Sequence, residues 1–94
     1  MHQAFIAGLL IVVSASAALA DAKDDCVKKS GDVAIVACTE AIRLNPKDAA
    51  SYVNRSFEYL QKDEYDRAIA DTTKAIELAP KGALACNNRS FAYQ

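Results

Sequence analysis

Apolar and polar positions divide the chain into one apolar run followed by a series of amphipathic stretches. Ala4 to Val13 holds apolar residues and a single glycine, and Ser14 to Ala20 continues with small residues and one leucine. Beyond Asp21 the pattern takes a helical period. Between Ala49 and Lys62, Tyr52, Val53, Phe57, Tyr59 and Leu60 recur near the i, i+3/i+4, i+7 spacing that puts them along one side of a helix. Lys62-Asp63-Glu64 interrupts that stripe, and Ala68, Ile69, Thr72, Ala75 and Ile76 resume it between Tyr65 and Leu78. Pro80 ends the second stretch, because proline lacks an amide hydrogen and clashes with the preceding turn. Val33 to Leu44, before Pro46, reads as a further helix, preceded by a shortened one over about Asp24 to Ser30 and followed by another from Gly82 to Gln94. The predicted fold class is all-α.

These stretches repeat. Asn54-Arg55-Ser56-Phe57 returns as Asn88-Arg89-Ser90-Phe91, a displacement of 34 (88 minus 54). Tyr59 returns as Tyr93, Ala49 as Ala83 and Pro46-Lys47 as Pro80-Lys81 at the same offset. Ala34-Ile35 matches Ala68-Ile69, and Ala41-Ile42 with Leu44 matches Ala75-Ile76 with Leu78. A fixed period of this length is the signature of a stacked helical array.

The repeat resembles the tetratricopeptide repeat family, whose units are helix-turn-helix pairs marked by small and aromatic residues at fixed places. Laid on that pattern, Tyr52 stands where the family prefers Trp, Ser56 where it prefers Gly and Tyr59 at its first aromatic position. Ala68 and Ala75 take the small positions of the second helix, and Pro80 closes the unit. Arg55 departs from the usual Leu and Thr72 from the usual aromatic. The resemblance implies a short solenoid with a partial repeat over 21–48, a complete one over 49–82 and a partial one over 83–94. It also implies a scaffold that binds a protein or peptide partner on the face lined by first helices, here Val53, Phe57 and Leu60 continued by Asn87 and Phe91. Asn54, Asn88, Arg55 and Arg89 lie nearby, and lone helical arginines read as solvated surface.

Charge changes the reading of the N-terminus. Every Asp, Glu, Lys and Arg lies at Asp21 or beyond, so residues 1–20 read as a signal peptide with Ala18-Leu19-Ala20 as its cleavage triplet. Met1-His2-Gln3 supplies no Lys or Arg, and a retained membrane anchor is the alternative. Cleavage predicts a periplasmic or secreted domain over 21–94 with no membrane contact, in a compartment where disulfides persist. Of Cys26, Cys38 and Cys86, a bridge between Cys26 and Cys38 would tether the short first helix; two free buried thiols are the alternative, and Cys86 reads as a small core residue. With 11 Lys and Arg against 12 Asp and Glu, interspersed, no nucleic-acid footprint is present.

Catalytic chemistry finds no constellation. His2, the sole histidine, lies in the leader, and no glycine-rich phosphate loop, metal-ligand spacing or cofactor motif occurs. Asp63, Glu64 and Asp66 cluster at the turn into a helix, where acids face its dipole favourably. Asn54-Arg55-Ser56 and Asn88-Arg89-Ser90 are formal glycosylation sequons inside predicted helices, which argues against their use. The chain stops within a repeat, which predicts self-association through residues 83–94, where Phe91, Ala92 and Tyr93 lack a covering helix. Two other readings stand beside the scaffold: a fragment of a longer repeat protein with no binding of its own, and, behind it, an exported enzyme or thiol-redox accessory.

Overall fold

The computed structural model describes residues 17–81, and within them four α-helices run in sequence. Helix α1 takes in residues 17–28, α2 is Gly31–Leu44, α3 is Ala49–Gln61 and α4 is Tyr65–Leu78. Helices α2 and α3 pack together, as do α3 and α4. The stretch 82–94, with Asn87, Phe91 and the expected self-association face, lies outside the described residues, as does the apolar run 4–13.

Small residues set the helix spacing. Ala34, Cys38 and Ala41 on α2 are buried at i, i+4, i+7, and Ala68, Thr72 and Ala75 on α4 occupy the same positions displaced by 34. Interaxial distance depends on the side chains at the contact, so these residues let each second helix lie close against its first. Around them two apolar clusters form. Tyr59, Leu60 and Ala68 gather Ile35 and Ile69, while Tyr52 and Ala75 gather Ile42, Ala49, Val53, Ile76 and Leu78. Ile35 and Ile42 belong to α2, so the second unit is built against the back of the first.

The first helix departs from expectation. It runs through 17–28 and not about 24–30, and in repeat register it answers α3: Ala22 and Cys26 are buried like Ser56 and Leu60, each 34 residues on. Its start before Asp24 follows from Ala-rich sequence with high helix propensity, which continues across the expected cleavage point. Its end comes early because Ser30 is extended (φ −134°, ψ 161°) and Gly31 takes the left-handed region at φ 63°. Glycine enters that region at no steric cost, having no Cβ, and this reverses the chain within two residues.

Helix ends are completed by long-range as well as local partners. The Gly31 amide donates to Glu58 Oε1 of α3 at 2.8 Å, so a carboxylate from the next unit caps α2. Ser51 Oγ donates to Asp48 Oδ2 at 2.8 Å at the start of α3. The Tyr52 hydroxyl donates to the Pro46 carbonyl at 3.2 Å, fastening the α2–α3 turn to the second unit.

Candidate partner-binding surface

Helix α3 presents different chemistry on its two sides. Toward α4, Arg55 meets Asp71 as a fork: Nε donates to Oδ2 at 2.7 Å and Nη2 to Oδ1 at 2.6 Å. Nη1 donates to Thr39 Oγ1 on α2 at 3.1 Å, so one guanidinium joins three helices. The rings of Tyr52 and Tyr59 flank it, each centroid 5.9 Å away. The side chains of Arg55 and Asp71 are 18% and 7% exposed. Hydrogen bonding to Asp71 raises the Arg55 pKa above its ordinary value against the opposing effect of burial. Arg55 is therefore an interior strut and not the solvated arginine its sequence context suggests. Its departure from the family's usual Leu is answered by Asp71, a partner contributed from α4.

On the other side of α3 the predicted binding residues separate. Phe57 is half exposed, at 50%, and Val53 is partly buried against the Tyr52 and Ala75 cluster. Leu60 does not belong to the surface. At 8% exposure it sits with Tyr59 and Ala68 in the core, because Ser56, Tyr59 and Leu60 follow the i, i+3, i+4 spacing of the buried side. The repeat carries the signal for this: Leu60 answers Cys26 (60 minus 34), which is equally buried. Asn87 and Phe91 lie outside the described residues.

A residue not singled out from the sequence joins this face. Val27 on α1 is 69% exposed and answers Gln61, one turn beyond Phe57 on α3. Val27 and Phe57 thus occupy the same stripe on the first helices of successive units. Lys23, the counterpart of Phe57 at 57 minus 34, pairs with Asp48 at 3.5 Å.

Cys26 and Cys38 form a disulfide with Cα atoms 4.6 Å apart, both residues buried, joining α1 to α2. The turn between α3 and α4 is held locally. Asp63 adopts φ 60°, a region that short polar side chains tolerate, and accepts a hydrogen bond from the Tyr65 hydroxyl at 2.9 Å. Lys62 pairs with Asp32 on α2 and, at 3.8 Å, with Glu64. Asp63 and Glu64 are engaged by their neighbours, and with Asp66 they line an open surface hollow. Ser56 of the first sequon is fully buried, its hydroxyl donating to the Val53 carbonyl at 2.6 Å, and Asn54 is helical. Among the described residues no group of three or more His, Cys, Asp or Glu side chains is placed to hold a metal ion, and no helix is long and apolar enough to cross a membrane.

The architecture defines the class: antiparallel helix pairs repeated every 34 residues, the second stacked on the first. Residues 37–70 match the model of the tetratricopeptide repeat, which supports the resemblance read from the internal period. The match is 34 residues long (70 minus 37, plus one), the same as the internal period, and joins the end of α2 through α3 to the start of α4. Repeats of this family are protein-interaction modules. No curated protein and no solved structure matches the chain.

Proposed function

We propose that the protein is an exported, non-catalytic scaffold that binds a protein or peptide partner along the stripe of its first helices. The observation that carries this reading is the half-exposed Phe57, in line with the exposed Val27 of the preceding unit, on helices whose opposite sides are locked. A rigid surface with exposed apolar anchors loses little conformational entropy on binding, and aromatic residues dominate binding energy where they enter a partner's pocket. Export is supported by the uncharged leader with its Ala18-Leu19-Ala20 triplet and by a disulfide suited to an oxidising compartment. Cleavage after Ala20 leaves α1 as residues 21–28, about two turns of helix, too short to persist alone and held to α2 by the Cys26–Cys38 bridge.

Protein recovered from the exported fraction is expected to begin at Asp21 by intact mass and to carry a partner that Phe57→Asp releases without loss of helicity. Retention of the same partner by Phe57→Asp would remove the stripe from the function. A membrane-bound species retaining Met1 would replace export with anchoring.

A further inference from the structure

A second surface lies at the opposite end of the repeat from the turn after α4. Between α1 and α2 runs an open groove of about 320 Å³. Ala22, Val33, Val36 and Ala37 line its floor, and the carboxylates of Asp21 and Asp25 stand on its rim. Val33 and Val36 are 62% and 69% exposed, two of the largest apolar exposures among the described residues. Glu40, also at the edge, is tied to Arg43 on its own helix. Lys28 and Lys23, the bases of α1, are drawn to Asp24 and Asp48, and no ion pair involves Asp21 or Asp25 among the described residues.

The repeat itself indicates what such a groove takes. Displaced by 34, Asp21, Asp25 and Ala37 become Arg55, Tyr59 and Asp71. In the second unit α2 lays Ile35 and Ile42 on the two apolar clusters and Thr39 on the Arg55 guanidinium, which in turn holds Asp71. Ile35, Thr39 and Ile42 follow i, i+4, i+7, so the cover is one amphipathic helix face. Tyr59 and Asp71 are buried, whereas Asp25 is exposed and Ala37 only partly buried. Val33 and Val36 answer Arg67 and Ala70, which α2 leaves exposed in the second unit, so the apolar floor is particular to the first. Its polar positions also carry the opposite sign, with Asp21 standing where the second unit has Arg55.

We propose that the α1–α2 groove docks a basic amphipathic helix from a partner protein, with two aliphatic residues seated on Val33 and Val36 and a Lys or Arg between them facing Asp21 and Asp25. Charge complementarity selects this occupant, since juxtaposing like charges at an interface costs several kcal/mol. A second copy of the chain is less suited. Helix α4 offers the matching stripe Ile69, Thr73 and Ile76, but Asp71 is buried against Arg55 and its exposed charges, Asp66 and Glu77 against Arg67 and Lys74, balance, so it brings no excess of base. Of the described groove residues, cleavage after Ala20 would remove Ala18 and place a terminal ammonium on Asp21, so Asp25 is the rim acid common to precursor and mature forms.

The probe is a lactam-constrained peptide of the 14-residue α2 sequence carrying Cys38→Ala, Thr39→Arg and Glu40→Lys, titrated by fluorescence anisotropy into the full chain. Saturable binding is expected, weakened about tenfold or more by Val36→Asp and by the Asp21→Asn, Asp25→Asn pair, and unchanged by Phe57→Asp. Val36 is exposed, so its substitution leaves the core intact, and unchanged circular dichroism checks this. Absence of binding would overturn the proposal. So would equal binding of the peptide carrying Thr39→Glu, or indifference to the groove substitutions. Loss of binding in Phe57→Asp would move the contact to the other face, and a dimer dissolved by Val36→Asp would assign the groove to a second copy.

Discussion

Asp71→Ala is expected to destabilise the fold by about 3 kcal/mol, the loss typical of breaking one side of a buried ion pair. The substitution removes both oxygens of the fork and leaves the Arg55 charge between two tyrosine rings with Thr39 as its remaining hydrogen-bond partner. For a domain of this size that corresponds to a fall in Tm of roughly 12–24 °C. The diagnostic result is non-additivity. Arg55→Met placed on Asp71→Ala is expected to recover a large part of the loss, because a matched apolar pair requires no desolvated charge. Thermal unfolding of the two single variants and the double variant checks this. Equal and additive losses would mean that Arg55 contributes through the packing of its stem, with the ion pair adding nothing.

Loss of the Cys26–Cys38 bridge is the second large effect. Closing a loop over a separation of 12 residues restricts the unfolded chain by roughly 3 kcal/mol on the chain-entropy account. Cys26→Ala is expected to lower stability by about that amount and to abolish any further response to reductant. The wild-type protein treated with reductant should converge on the variant. The loss should fall on α1 first: amides of residues 21–28 are expected to exchange freely while those of α3 and α4 remain protected. Unchanged unfolding after reduction would show that packing of Ala22 and Cys26 suffices to hold the helix.

The second unit was legible in the sequence because there the local signals agree. The stripe ending at Pro80, the small residues Ala68 and Ala75 and the polar turn at Lys62-Asp63-Glu64 point to the same boundaries, and α4 has the bounds read from its periodicity. The bridge was legible from the expectation of an oxidising compartment and from a short first helix in need of a tether. The first helix was not, because residues 17–20 fit two readings at once: they are small and apolar, as an expected cleavage site requires, and helical enough to extend α1. Leu60 was misplaced by a family position that takes no account of how far Tyr59 and Leu60 turn together into the core. Asp71 went unrecognised because the repeat offers no precedent for it. Its counterpart is Ala37, and only three-dimensional placement brings it to Arg55. Val27 escaped notice for the same reason, standing where the second unit has a glutamine.

That absence of precedent also separates the two ends of the repeat pair. Where the second unit sets Arg55 and Tyr59 against α2 and pairs Arg55 with Asp71, the first carries Asp21, Asp25 and Ala37 and has an open groove. Two surfaces of different character result: an aromatic and aliphatic stripe on the first helices, and an acid-rimmed groove on the end.

The central claim, that the stripe of first helices receives a partner, is tested most directly by a photo-crosslinking residue placed at position 57, with a control at the exposed Glu77 on α4. Irradiation in the exported fraction is predicted to give a discrete adduct from position 57, competed by unlabelled wild-type protein and absent from position 77. No adduct at position 57, or indistinguishable adducts from both positions, would contradict the assignment of that face to binding.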